Sequence, residues 1–406
     1  MRIAEVNMVH YGSTARIMYE LADVARREGH EVLTLSPKFY KKGGKPCYPP
    51  RTGHKYFGFY FENMLHHHIS RVIGFDGFFS VFGTLELIWI LYRYNPDVIH
   101  LHNLHNWTFN IPILFTYLKK RKVQVVWTLH DCWAFTGQCS HFENEKCEKW
   151  KNGCYKCTRL NVYPNSLMDS TAFQWKVKKN LFGKMERLTI VTPSVWLKEQ
   201  VKLSFLKDKR IEVINNGIDL NVFRPRKSDF RSIYGIEDKY VILGVAFDWG
   251  YRKGLDVFCY LAEHLDESFA IVLVGTSDSI DKNIPDRIVS IHRTDNIEQL
   301  VEIYTASDLF LNPTREDTFP TVNIEALACG LPVMTFSTGG SPEIINENCG
   351  SIIASNKACE VLKAINAIKI NKAFKDSKCI QNARKYSKEE KFEEYLKLYE
   401  DCTHCS

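Results

Sequence analysis

Short runs rich in β-branched residues alternate with helical patterns along the whole sequence, and this alternation constrains the fold more than any other feature. "RIAEVNMV" (2–9) leads through Gly12 into "ARIMYELADVARREGH", whose apolar residues recur at helical spacing and which stops at Gly29. "EVLTLS", "DVIHLH", "VQVVWTLH" and "LTIVTPS" repeat the strand theme. A second series follows "EVINNGIDLNVFRP", with "YVILGVAF", "FAIVLVGTS", "RIVSIHRT", "ASDLFLNP", "LPVMTF" and "GSII". Such alternation predicts parallel strands joined by crossover helices, the doubly wound α/β layout.

A chain of 406 residues exceeds what one hydrophobic core organises, so two domains are expected. Turn signals at Asn215-Asn216-Gly217 and Arg224-Pro225 place the junction near 207–225. The expected division is a first Rossmann-like domain over 1–206, a second over 207–385, and a terminal helix over 386–406 that packs back on the first. In open α/β sheets ligands bind beyond the carboxyl ends of the strands, and two such domains facing each other make an interdomain cleft.

Charge divides along the same line. Residues 1–205 carry 28 Lys and Arg against 16 Asp and Glu, whereas the remainder carries 25 against 31. A basic front half is suited to an anionic partner: a nucleic acid, a phospholipid surface or a phosphate-bearing substrate. "MRIAEVNMVHYGS" has neither the apolar core nor the cleavage site of a signal peptide, so a cytoplasmic location is expected. The 15-residue stretch Phe78–Tyr92 is too short to span a bilayer and reads as a buried helix or a membrane-contacting one.

"NPTREDTFPTVNIEALACGLPV" (Asn312–Val333) follows a strand. Pro320 fits the first turn of a helix, and Gly330 followed by Leu331-Pro332 ends it. Asp317 then lies in the loop before the helix and Glu325 about two turns inside. Backbone N–H groups of Thr321 and Val322 would form an anion site fit for a diphosphate, with Glu325 available to ribose hydroxyls and Asp317 to those of a sugar. A surface helix with two solvated carboxylates has the same spacing. Arg252-Lys253-Gly254 in "GVAFDWGYRKGLDVF" is either a phosphate-holding pair or a charged turn. His130 in "VVWTLHDCWAFTG" stands at the carboxyl end of a strand, where a neutral imidazole can meet a sugar hydroxyl or phosphate, or simply be a hydrogen-bonded core histidine.

Together these segments resemble the retaining, family 4 glycosyltransferases of the GT-B fold. In that family an acid, a Phe and a Glu eight positions after the first acid bind the nucleotide-sugar donor. Phe319 and Glu325 match, Asp317 stands where the family usually has Glu, and Pro320 replaces a common Gly. Lys253 matches the family lysine; Val245 sits beside Gly244 where a second basic residue often stands, and Arg252 is the candidate substitute. "VINNGIDLNVFRP" is similar to the interdomain segment and "STGGSPEII" to the glycine turn near the donor. "YGSTAR" is similar to the amino-terminal phosphate loop, with Gly12 and Ser13 in place of paired glycines. His130 matches the histidine that reaches the transferred sugar. The base pocket is expected around Ile291–Asp295, including Thr294.

The resemblance implies transfer of a sugar from a nucleotide-sugar donor to a carbohydrate acceptor, with retention of configuration and no metal cofactor required for catalysis. The named relatives it resembles assemble capsule, exopolysaccharide or O-antigen repeats on lipid-linked acceptors, at the cytoplasmic face of the inner membrane. "KKRK" (119–122) and "KVKK" (176–179) would then touch an anionic membrane surface, or be solvated charge. Two rival readings keep the fold: a nucleotide-sugar epimerase and a glycoside phosphorylase. A third, a zinc-stapled nucleic-acid-binding protein, lacks a basic recognition helix or a paired finger array, and no nucleic acid is expected as a partner.

Thirteen cysteines, an odd number in a chain read as cytoplasmic, suggest thiols or ligands before disulfides. Cys139, Cys147, Cys154 and Cys157 form a cluster directly after His130 that reads as a structural zinc site or as unligated thiols, in an insertion over 132–160. Cys402 and Cys405 could replace part of that set. His100, His102 and His105, and likewise His66 to His68, mimic metal spacing but are not expected to bind metal.

Overall fold

The computed structural model describes residues 1–39, 51–105, 107–371 and 374–404. They form two compact units, 1–215 with 391–406, and 216–390.

The first unit is built on a seven-stranded parallel sheet: β1 (Arg2–Val6), β2 (Glu31–Pro37), β3 (His54–Phe57), β4 (Val98–Leu101), β5 (Gln124–Thr128), β6 (Leu188–Thr192) and β7 (Arg210–Val213). Its order is β3-β2-β1-β4-β5-β6-β7. Apolar strands such as Ile3, Ala4 and Val6 in β1 or Val125, Val126 and Trp127 in β5 are buried on both faces, as a helix-covered parallel sheet requires. The edge strands β3 and β7 escape the sequence pattern because "HKYF" and "RIEV" are four residues long and half exposed. For the same reason the unit runs to Asn215, inside the expected junction of 207–225 but past residue 206, because it takes in β7. The terminal helix is Lys388–His404, and its Phe392, Tyr395, Leu396, Tyr399 and Cys402 pack with Ile3, Ile17, Leu21 and Val98 of the first unit.

The second unit carries a six-stranded parallel sheet: β8 (Tyr240–Val245), β9 (Phe269–Val274), β10 (Ile288–Ile291), β11 (Leu309–Asn312), β12 (Val333–Phe336) and β13 (Gly350–Ile353), in the order β10-β9-β8-β11-β12-β13. Both units are therefore doubly wound. Strand order reverses beside the first strand of each, so that β1 and β4, and β8 and β11, flank a switch point at which loops leave in opposite directions and a ligand finds a crevice.

Two helices differ from expectation. Helix Val81–Tyr94 buries Leu87, Ile90 and Leu91 but exposes Phe82, Leu85, Trp89 and Tyr92, so it is amphipathic rather than wholly buried. In helix Thr171–Phe182 the buried residues are Thr171, Gln174, Trp175, Lys178 and Phe182. Lys178 thus belongs to the core and cannot touch a membrane, although Lys176 and Lys179 are exposed. Among the described residues no helix is long and apolar enough to cross a bilayer.

Candidate active site

The second unit's switch point gathers the acidic and basic residues singled out above. After β8 the chain makes a short 3-10 turn, Tyr251–Lys253, and enters helix Leu255–His264 through Gly254 at φ +74°. A Cβ there would lie 2.5 Å from the Pro313 carbonyl oxygen, so glycine lets this turn lie directly against the loop leaving β11. Gly244 is equally confined, because its Cβ would come within 2.5 Å of the Phe258 ring.

That close approach joins Lys253 to Asp317, with Nζ 2.7 Å from Oδ2. Both side chains are about four-fifths buried, at 18% and 20% exposure. Asp317 also accepts a hydrogen bond from the Phe319 N–H at 3.3 Å, which folds the loop back toward the helix. Arg252 reaches the Glu316 carbonyl at 3.5 Å and lies 3.6 Å from Asp248, so its charge stands at the same loop on the more exposed side.

Arg315 is the residue that sequence reasoning missed. Buried to 3% exposure, it grips both oxygens of Asp256 at 2.7 and 2.8 Å, stacks on Tyr251 at 3.8 Å, and its backbone N–H donates to the Arg252 carbonyl at 2.9 Å. It locks the basic turn to the acidic loop, a task suited to a planar guanidinium fork. Nothing in its spacing marks it as more than one more loop arginine.

Helix Thr321–Ala328 begins one residue later than expected, with Pro320 at the capping position rather than inside the first turn. Leu331 N–H bonds the Ala326 carbonyl and Gly330 N–H the Leu327 carbonyl, with Gly330 at φ +83°: the glycine-terminated end the sequence announces. Thr321 and Val322 are half-buried in its first turn, where N–H groups have no partner within the helix. Glu325 lies about one turn in, not two, is buried, and accepts a hydrogen bond from the Tyr304 hydroxyl at 3.3 Å. Phe319 packs on Tyr386 and its carbonyl accepts from Asn216, which anchors the loop before the helix. Thr294 is half-buried after β10, the edge strand two places from β8.

In the first unit, Gly12 and Ser13 open helix Gly12–Arg27 after β1, and both are exposed. His130 follows β5 and is partly buried. Its Nε2 is 3.0 Å from His102 Nδ1, the two rings stack at 11°, and His102 Nε2 lies 3.4 Å from Glu5 Oε2. Burial pulls His130 down to about 4 and His102 well below the usual imidazole range, and pushes the Glu5 carboxyl well above its ordinary value. His130 is therefore a neutral group at pH 7. Glu5, His100 and His102 offer three ligand atoms within 4.8 Å of one another. Every ring nitrogen in that set already has a partner, His100 with Thr128 at 2.8 Å and Tyr399 at 2.6 Å, so the cluster is a hydrogen-bonded core network. His105 is held by Asp131 at 2.7 Å and Tyr163 at 2.8 Å, and His66 by Ser80 at 2.8 Å and the Gly77 N–H at 3.2 Å.

Cys139, Cys147, Cys154 and Cys157 all line one pocket of about 290 Å³ in the first unit, and none is in a disulfide. Cys402 is buried elsewhere, 3.5 Å from Thr189, and Cys405 lies outside the described residues.

Two doubly wound units, one with paired cations and a buried Glu at its switch point, define a glycosyltransferase of the GT-B class. Residues 14–222 match the family model Glycosyltransferase Family 4, and residues 226–386 match Glycosyl transferases group 1. The chain belongs to glycosyltransferase family 4. It is 25% identical over 320 residues to the putative colanic acid biosynthesis glycosyl transferase WcaC of Escherichia coli K12, covering 75% of this chain and 76% of that one. Among solved structures it is similar to sucrose-phosphate synthase of Thermosynechococcus elongatus, with a TM-score of 0.71 and 16% identity over the whole of both chains. It is also similar to Anabaena HepE in complex with UDP, with a TM-score of 0.67 and 14% identity over 99% of this chain and 100% of that one.

Proposed function

We propose that the protein transfers a sugar from a nucleotide-sugar donor to a carbohydrate acceptor, with retention of configuration, in the assembly of cell-surface polysaccharide. The observation that carries this reading is the Lys253–Asp317 pair at the switch point, one loop from the first turn of helix Thr321–Ala328.

In this reading the second unit holds the donor. Arg252 and Lys253 bind the diphosphate together with the N–H groups of Thr321 and Val322, while Gly244, kept small by the Phe258 ring, closes the end of β8 behind them. Glu325 accepts from ribose hydroxyls, Phe319 fixes the loop, Thr294 borders the base, and Asp317 accepts from hydroxyls of the donor sugar. An ammonium has three donors, so the contact of Lys253 with Asp317 is compatible with a phosphate contact. Asp317 is thereby held where a sugar attached to that phosphate would be. The first unit, taken by itself, offers a backbone N–H and a hydroxyl at Gly12 and Ser13 to a phosphate, and a neutral imidazole at His130 to a sugar hydroxyl.

The acceptor hydroxyl attacks the anomeric carbon on the face from which the phosphate leaves. The C–O bond to phosphate breaks, the new glycosidic C–O bond forms, and the acceptor's proton passes to a leaving phosphate oxygen. Negative charge grows on the nucleoside diphosphate as this proceeds, and Arg252 and Lys253 stabilise it without a divalent ion. The UDP held by Anabaena HepE and the colanic acid assignment of WcaC support this choice of donor class and pathway.

A lipid-linked acceptor is supported by the exposed stripe Phe82, Leu85, Trp89 and Tyr92, with Arg93 beside Trp89 and Arg121 beside Tyr92. Such a face, with the exposed run 119–122, suits peripheral contact with an anionic membrane. Incubation with a panel of nucleotide-sugars and lipid-linked acceptors, with the product's anomer read by NMR, tests the proposal. Transfer with the donor's configuration is expected; isomerisation or phosphorolysis of the sugar without transfer would overturn it.

A further inference from the structure

The cysteine pocket plays no part in the chemistry proposed above. Its four thiols come from positions 139, 147, 154 and 157, yet all line one wall system of about 290 Å³. Main-chain N–H groups are aimed at two sulfurs: Gly137 donates to Cys154 Sγ at 3.1 Å, and Arg159 to Cys157 Sγ at 3.4 Å. Donors of this kind orient thiolates around a metal.

The backbone is specialised at the same places. Lys146, Gly153 and Lys156 have φ of 49°, 142° and 46°, and each directly precedes a cysteine of the set. Two are lysines, for which this region is unfavourable and persists only where the surroundings impose it. The loop is also fastened to the core. Trp150 is buried, its Nε1 donates to the Cys147 carbonyl at 2.9 Å, and its own carbonyl accepts from Trp175 at 2.8 Å.

Lys178 supplies an independent observation. It is 2% exposed, lies 3.5 Å from the centre of the Trp133 ring, and donates to the carbonyls of Trp133, Thr136 and Gly137 at 2.8, 3.2 and 3.4 Å. Among the described residues no carboxylate is a hydrogen-bond partner of that ammonium. The Gly137 whose carbonyl accepts from Lys178 also donates its N–H to Cys154, which ties the lysine to the cysteine set. The negative groups acting on Lys178 are Asp76, Cys154, Asp131 and Cys139, in that order, so thiolates of the set share its countercharge with two carboxylates.

We propose that Cys139, Cys147, Cys154 and Cys157 hold a structural zinc ion, with buried Lys178 and Arg159 balancing its negative charge. Soft thiolates in a four-ligand set select zinc, and a closed site of this type braces a loop rather than catalysing. Among the described residues no three of these sulfurs lie within 4.8 Å of one another, whereas a tetrahedral zinc–thiolate site spaces sulfurs about 3.8 Å apart. Binding the ion would therefore draw the sulfurs closer together than they stand here.

The test is metal and thiol analysis of the full-length protein purified without chelator. About one equivalent of zinc per chain is expected, with all four cysteines alkylated only after denaturation in chelator. Replacing the zinc with cobalt(II) should give the visible bands of tetrahedral thiolate coordination, and Cys154→Ser should release the metal far faster than the parent. Less than about a tenth of an equivalent of metal overturns the proposal, as does a peptide map showing disulfides within the set, or an iron–sulfur absorption spectrum.

Discussion

Lys253 and Asp317 are 64 residues apart in the chain, and their side chains meet at 2.7 Å because two loops leave adjacent strands at a switch point. Lys253→Met should lower sugar transfer by about 10²- to 10³-fold while leaving the melting transition cooperative, since it removes charge that matters most as the diphosphate leaves. Steady-state kinetics check this, and unchanged kcat/KM would remove Lys253 from the mechanism. Asp317→Glu, which keeps the charge, should retain more activity than Asp317→Asn.

Arg315 touches neither proposed substrate group, yet it sets where Arg252 stands by bonding its carbonyl. Arg315→Lys keeps the charge but loses the fork on Asp256 and the stacking on Tyr251. We expect kcat/KM to fall by about 10- to 100-fold, as for a misplaced catalytic group. Asp256→Asn should give a smaller loss of the same kind. Equal activity in the Arg315→Lys protein would reduce the interaction to a surface tie.

Tyr304 donates to Glu325 and so holds the carboxylate proposed to meet the ribose. Tyr304→Phe removes one hydrogen bond worth about 0.5–1.5 kcal/mol, and the KM for donor should rise about 2- to 10-fold with kcat little changed. Glu325→Ala should abolish measurable transfer.

Acid should destabilise the first unit. Burial lowers His130 to about 4, His66 to about 4 and His100 to about 3, against an unfolded value near 6.5. Between those values the unfolded chain binds more protons than the folded one, so stability rises with pH across that window and is lost as pH falls through it. Glu5, whose carboxyl is raised by burial, acts in the opposite direction, holding its proton in the folded state above its unfolded value. Three histidines outweigh it. Thermal melts at pH 7, 5.5 and 4.5 should show a progressive fall in Tm, and a flat or rising trend would contradict these assignments.

The apolar strands were readable because parallel strands buried on both faces must be continuous hydrophobic runs, as "FAIVLV" of β9 is. β3 and β7, half exposed at the edges, carry no such run. Strand–loop–helix order puts Asp317 and Lys253 after strand ends and Glu325 in the helix that follows, but the resemblance to family 4 is what singled them out from a solvated helix and a charged turn. Arg315 was not, since its partner Asp256 lies in another loop–helix junction and spacing does not report that approach. Lys178 was hidden by the basic run around it; the period of Thr171, Gln174, Trp175 and Lys178 is the signal that puts it on the buried face. His102 and Glu5 resemble ordinary strand residues until β1 and β4 pair and bring them together.

The most direct measurement is isothermal titration of UDP, GDP and ADP into the parent protein and into Lys253→Met. One nucleoside diphosphate should bind the parent at millimolar concentration or below, with at least about a tenfold weaker affinity in the variant, the cost of a lost charge-assisted contact. Absence of binding by all three at millimolar concentration, or equal affinity in parent and variant, would contradict a diphosphate site at the Lys253–Asp317 pair.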